Sequence, residues 1–169
     1  LDSSGYAGSN VDISSLSSHS DIPLNHPMSV TVPGAVRGWY AMHERFGRLE
    51  MKHLFSQAID ICLKGFKVSS ELNQSLKSHE ESLKIQDSGT ELYPSGKVPN
   101  VGETVQRTLL ANTLEDISFE GPDYFYTGEV SEAISEALTN IVTQDDISSF
   151  HPQWIEPLSI EMYGKIGWV

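Results

Sequence analysis

Residues 29–39 read SVTVPGAVRGW, and residues 40–66 continue YAMHERFGRLEMKHLFSQAIDICLKGF. Pro33 suits the first position of a helix, where its missing N–H costs nothing. Gly34 beside it permits close backbone approach. Val36, Trp39, Tyr40 and Phe46 then fall near one face, and Gly47 stops the helix. The next run is the cleanest in the chain. Met51, Leu54, Phe55, Ala58, Ile59, Cys62 and Leu63 follow the i, i+3, i+4, i+7 rule, and Gly65 ends it. A very short turn joins the two helices, which predicts an antiparallel or steeply crossed pair.

Downstream, Ser69 is an N-cap for a third helix with Glu71 near its positive end. Leu72, Leu76, Leu83 and Ile85 give it a thin apolar face, so it is expected at the surface. Residues 87–104 carry Gly89, Pro94, Gly96, Pro99 and Gly102, which predict turns and a short hairpin around Leu92–Val98. A fourth helix is expected from about Val105 to Phe119, with Leu109, Leu110, Thr113, Leu114 and Ile117 inward. Gly121-Pro122 closes it and starts the next, which holds Val130, Ala133, Ile134, Ala137, Leu138 and Ile141. Thr143 with Asp146 three residues on reads as a capping box for a short sixth helix ending near Phe150. After Pro152 the texture changes: Leu158–Met162 and Lys165–Val169, separated by Tyr163-Gly164, read as two strands. Upstream, residues 1–28 are rich in Ser, Gly, Asn and Asp, with Pro23 and Pro27, and read as a long loop. The fold class is α+β, mainly helical with C-terminal strands.

The 169 residues suit one domain or a large piece of one. A chain that long buries roughly 70% of its unfolded surface. The net charge of −12 argues against nucleic acid and against an anionic membrane surface, and serves solubility. Cys62 is the only cysteine, so no intrachain disulfide forms; its place on an apolar face predicts a buried thiol. No apolar run approaches the ~20 residues of a membrane span, and no signal peptide is visible. The start at Leu1 and the abrupt end at Trp168-Val169 read as a processed or truncated product.

The chemical motifs mostly fail on spacing. His43-Glu44 resembles the start of HExxH, but Gly47 stands where the second His is needed, so no metal is expected. His19, His26, His53, His79 and His151 show no ligand spacing. Gly5 and Gly8 are too sparse for a phosphate loop and no Lys follows, so no nucleotide cofactor is expected. The serines at 14–20 lack the GxSxG context of a nucleophile elbow. Glu80-Glu81, Glu115-Asp116 and Asp145-Asp146 are explained as helix caps or solvated positions.

The ordered combination says more. SVTVPGAVRGW, then HERFGRL at 43–49, then AIDICLKGF at 58–66 resemble the large subunit of the gamma-glutamyltranspeptidase family. VGETVQRTLLANTLEDI at 101–117 resembles its Gly-Glu turn and Leu-Ala-x-Thr-Leu helix. EGPDYFYTGEV at 120–130 resembles its Glu-Gly-Pro-x-x-Phe-Tyr-x-Gly block, and IVTQDDISSFHPQWIEPLSIEMYG at 141–164 its passage into the central sheet. The resemblance implies a fragment of an αββα Ntn-hydrolase sandwich. It divides the chain into a loop (1–28), the helical part of the large subunit (29–150) and the first strands of the sheet (151–169), within one incomplete domain.

The resemblance also implies chemistry. Family precursors cut themselves, and the new N-terminal Thr of the small subunit becomes the nucleophile for acyl transfer from a gamma-glutamyl or related amide to water or an amino acid. That Thr lies outside this chain, so no catalytic residue is assigned and the chain alone is expected to be inactive. The implied partners are the small subunit and a small-molecule acyl amide. In transpeptidases proper an upstream Arg grips the substrate α-carboxylate with its planar fork. No Arg precedes Arg37 here. Instead Ser3-Ser4-Gly5-Tyr6-Ala7-Gly8 resembles the Gly-Ser-Gly-Arg-Ala-Pro segment of transpeptidase-like amidohydrolases, with Tyr6 in place of Arg and Gly8 in place of Pro. Ser4, Gly5 and Tyr6 are therefore the candidate substrate-binding residues, for an amide other than a standard gamma-glutamyl one. The competing reading is a non-catalytic helical interaction module or a degenerate family member.

Overall fold

The computed structural model describes residues 1–12, 14, 17, 21, 22, 26–84 and 87–168. Its helices are α1 (Ala35–Phe46), α2 (Met51–Lys64), α3 (Ser70–Ser78), α4 (Glu80–Lys84), α5 (Thr108–Glu120), α6 (Pro122–Thr127), α7 (Glu129–Ala137) and α8 (Gln144–Ser149). Strands β1 (Phe66–Lys67) and β2 (Thr104–Val105) pair antiparallel, as do β3 (Ser159–Met162) and β4 (Lys165–Trp168) in a hairpin. The caps follow from local chemistry. The Ser69 hydroxyl accepts the Leu72 N–H, and Thr143 and Asp146 form a reciprocal box at the start of α8. Gly65 and Gly121 end α2 and α5 at φ 84° and 89°, where a Cβ is disfavoured.

The core gathers Val32, Val36, Phe55, Ile117, Tyr126, Val142, Ile147 and Phe150. The expected α1–α2 pair is not the main contact. α2 packs chiefly along α5, and α1 reaches α6. The reason lies in which faces are buried. Val36 and Arg37 point to the core, while Trp39, Met42 and Phe46 stay 48%, 48% and 62% exposed. Trp39 meets α2 only edge-on, its ring centroid 6.0 Å from that of Phe55.

Other boundaries shift for identifiable reasons. Val105 belongs to β2 rather than to the fourth helix, so α5 starts at Thr108. The β1–β2 pair ties the end of α2 to the start of α5, helped by the Arg107 N–H on the Cys62 carbonyl at 2.9 Å. Two-residue strands carry too little alternation to be read from sequence. The hairpin expected at Leu92–Val98 is instead a 3-10 turn at Pro94–Gly96, because Tyr93 is buried with its hydroxyl donating to the Leu76 carbonyl at 2.9 Å. The fifth helix divides at Gly128 into α6 and α7. Cys62 is buried. Ile85, Val169, His19, Pro23 and most of the Ser-rich 14–20 run lie outside the described residues.

The β3–β4 hairpin is apolar yet uncovered: Ile166 is 61% exposed and Ile160 56%, and Leu158 just before it 75%. Open strand edges with apolar side chains template self-association. The 169-residue chain alone will therefore elute as a mixture of oligomers, and Ile160→Lys with Ile166→Glu will shift it toward monomer. Size-exclusion chromatography with a thermal melt checks this; a monodisperse, cooperatively melting parent chain would contradict it.

Candidate functional site

Residues 1–10 cross the helical layer as an extended strap. The Asp2 and Gln153 backbones exchange hydrogen bonds of 2.7 and 2.8 Å. The Ser3 hydroxyl donates to the Gly34 carbonyl at 2.7 Å, and the Val32 N–H donates to the Tyr6 carbonyl at 3.0 Å. Main chain meets main chain so closely that only glycine fits. A Cβ on Gly5 would lie 1.7 Å from the Val32 oxygen, and one on Gly34 1.9 Å from the Ser3 oxygen. Gly8 is seated the same way against the Ile141 carbonyl, at 2.1 Å. The Val-Pro-Gly turn thus does two jobs: it starts α1 and it forms the bed for the strap.

The three candidate residues stand together on this strap. Ser4 is exposed, its N–H held by the Asp2 carboxylate at 2.9 Å. Gly5 is pinned against Val32. Tyr6 is 46% exposed, with its hydroxyl donating to the Asp146 carbonyl at 2.8 Å and its ring centroid 6.1 Å from that of Phe150. Burial, and then the Asp146 charge, push the Tyr6 phenol above its ordinary value, with Arg37 opposing them. At neutral pH Tyr6 is therefore an uncharged donor. The Ser3 and Ser9 hydroxyls give their protons to the Gly34 carbonyl and the Asp146 carboxylate, so both act as tethers.

Behind the strap sits Arg37, 9% exposed. Its guanidinium donates to the Ser148 carbonyl at 2.8 Å, to the Phe150 carbonyl, and to Asp123 Oδ1 at 3.1 Å. It also lies 4.4 Å over the Tyr126 ring. Tyr126 is fully buried, donates to the Pro33 carbonyl at 2.6 Å, and stacks toward Phe150. One column thus runs from Arg37 through Tyr126 and Phe150 to Tyr6. Reasoning from sequence missed Arg37 and took Asp146 for a helix cap alone. The capping-box spacing was the available signal for Asp146; nothing local announces a partner 137 residues away at Ser9.

A separate groove of about 930 Å³ opens beside α1 and α2, lined by Leu1, Trp39, Met42, Phe46, Leu54 and Phe55 among others. His43 is the titratable side chain among its lining residues. Among the described residues no His, Cys, Asp and Glu side chains gather into a metal-sized group. None of the described helices is long and apolar enough to cross a membrane.

This architecture is a fragment of the αββα Ntn-hydrolase sandwich, mostly helical with a C-terminal hairpin. The sequence profile described as gamma-glutamyltranspeptidase matches residues 1–166, and the chain belongs to that family. It is 34% identical over 142 residues to glutathione hydrolase 3 of Arabidopsis thaliana, covering 81% of this chain and 22% of that one. It is 34% identical over 134 residues to the capsule biosynthesis protein CapD proenzyme of Bacillus anthracis, covering 79% and 25%. A CapD crystal structure matches with a TM-score of 0.75 at 32% identity, over 88% of this chain and 51% of that one. Cephalosporin acylase from Bacillus halodurans gives 0.86 at 26% identity, over 99% and 34%. The chain spans about a quarter of the length of these curated relatives.

Two outcomes follow from the geometry. Arg37→Met leaves the Ser148 and Phe150 carbonyls without their charged donor and should cost about 3 kcal/mol. The exposed Asp123 end of the pair contributes little to that sum. Thermal denaturation of the complete protein reads the loss, and a melting point equal to the parent's rules it out. The second concerns Asp146. Burial alone would raise its carboxyl, but the Ser9 and Thr143 amides and hydroxyls outweigh burial and hold it below 3.8. Its contribution is then fully present above pH 3.8 and fades as pH falls through the lower folded value. Carboxyl chemical shifts should give a midpoint below 3.8 that rises in Ser9→Ala; a parent midpoint at or above 3.8 would refute this account.

Proposed function

We propose that this chain is a large-subunit segment of a gamma-glutamyltranspeptidase-like enzyme, and that the strap around Ser4, Gly5 and Tyr6 borders the pocket for the acyl group. The nucleophile is an N-terminal Thr on a small subunit outside these residues, released by self-cleavage of a precursor. The reaction is acyl transfer from an amide, through an acyl-enzyme, to water or an amino acid. The naming of the Bacillus anthracis relative as a proenzyme supports the processing step. On this reading the division at residues 28 and 150 separates pocket strap, helical layer and entry to the catalytic sheet.

The substrate assignment rests on the resemblance that sets Tyr6 against the Arg of a Gly-Ser-Gly-Arg-Ala-Pro segment in related amidohydrolases. A neutral phenol, already donating to the Asp146 carbonyl, offers no charged fork for an α-carboxylate. The preferred acyl group therefore lacks the free α-amino acid head of a gamma-glutamyl donor. Similarity to a cephalosporin acylase structure agrees with a broader amide range.

The full-length precursor should separate into two subunits on a denaturing gel without added protease. In the processed enzyme, Tyr6→Arg should raise kcat/KM on a gamma-glutamyl anilide by roughly 10- to 100-fold, the worth of one charge-assisted hydrogen bond. Tyr6→Ala should change selectivity among acyl anilides. If both variants match the parent on every accepted amide, the strap does not border the pocket.

A further inference from the structure

The strap is gripped at two points by one residue of the helical layer. The backbone carbonyl of Asp146 accepts the Tyr6 hydroxyl at 2.8 Å. Its carboxylate oxygen Oδ2 accepts the Ser9 N–H at 2.9 Å, the Ser9 hydroxyl at 3.0 Å and the Thr143 N–H at 2.8 Å. The Asp146 N–H is itself held by the Thr143 hydroxyl at 3.1 Å. The capping box thus fixes the carboxylate, and the strap docks onto it. Such a box needs only the two bonds to Thr143, and its usual acid or amide is the longer Glu or Gln. The shorter Asp places Oδ2 where it also meets Ser9.

We propose that Asp146 is a positioning residue for the acyl pocket: by holding Tyr6 and Ser9 together it sets where Ser4–Tyr6 stand. The proposal rests on the reading that the strap borders that pocket. Its consequence is specific. Asp146→Glu keeps the charge and the cap but carries the oxygen one methylene further, so the helix survives while the strap loses its seat.

The test uses the complete processed enzyme with Asp146→Ala, Asp146→Glu, Ser9→Ala and, as a cap-only control, Thr143→Ala. Two readouts are taken: amide exchange at Ser9 and Val32, and the kinetics on two acyl anilides of different size. Exchange at both amides should quicken by about tenfold or more in both Asp146 variants, and less in Ser9→Ala. KM should rise about fivefold or more with kcat nearly unchanged, as expected when a binding surface is displaced. Thr143→Ala, which keeps the Thr143 N–H that holds Oδ2, should show clearly smaller effects than either Asp146 variant. Unchanged exchange in the Asp146 variants, or equal effects from Thr143→Ala, overturns the proposal. If Asp146→Ala does not fold, Asp146→Glu and Ser9→Ala decide the same question. The two levels separate cleanly. Tyr6 variants that alter selectivity while the Asp146 variants leave KM alone sink the positioning role only. A loosened strap with every Tyr6 and Asp146 variant kinetically silent sinks the pocket reading, and the positioning role with it.

Discussion

The Arg37 guanidinium is the constraint on which the rest depends. It enters from the second residue after Ala35 at the head of α1, and it satisfies two carbonyls where α8 ends. A buried cation is costly unless its donors are used, and here they are: two carbonyls, one carboxylate and an aromatic face. The arrangement fixes the distance between α1 and α8, elements separated by a hundred residues of chain. Tyr126 completes it: its hydroxyl donates to the Pro33 carbonyl, and its oxygen accepts the Arg37 N–H at 3.3 Å, an amide at the start of α1. Core packing alone tolerates sliding. This polar hub does not, because a displaced carbonyl is an unsatisfied one.

The strap uses the rigidity so created. Its bed is made of backbone from the 31–34 turn and the 141 loop, and both surfaces are positioned by the hub and the core around it. Glycine at positions 5, 8 and 34 removes the Cβ atoms that would hold the two chains apart. Close seating of this kind transmits position well, since there are no flexible side chains in the gap. Tyr6 then projects from a surface whose placement is determined on three sides: by Val32 below, Phe150 beside it and the Asp146 carbonyl at its tip.

Much of the helical layer is legible in the sequence because it obeys local rules. The α2 periodicity, the Gly65 stop, the Ser69 cap and the Thr143–Asp146 box all act within a few residues. The C-terminal hairpin is legible for the same reason. What cannot be read is partner choice. Nothing in LFSQAIDICL says that its face meets α5 rather than α1. The two-residue strands are also silent, because they exist only through each other. The site divides likewise. Ser4, Gly5 and Tyr6 stand out by resemblance, but their anchors Val32, Phe150 and Asp146 are brought to them by the tertiary fold. Trp39 and Phe46 mislead because an apolar side chain predicts burial, and here they face the open groove beside α1.

The Tyr6 that the resemblance sets against an Arg stands on a strap seated by main chain. The family profile extends through residue 166, and close contacts at Gly5, Gly8 and Gly34 seat the strap. Because main chain seats the strap, a change of side chain at position 6 alters its chemistry more than its position. Arg would add a positive charge and a two-pronged donor. Tyr adds a flat apolar ring and one neutral donor, and that donor is already engaged by Asp146. With the strap bordering the pocket as proposed, the face left toward an incoming acyl group is mainly the ring, which rewards apolar area rather than a carboxylate. On the proposed placement, selectivity would turn on a single exposed side chain, while a buried cation 31 residues away in sequence keeps that side chain where it can be read.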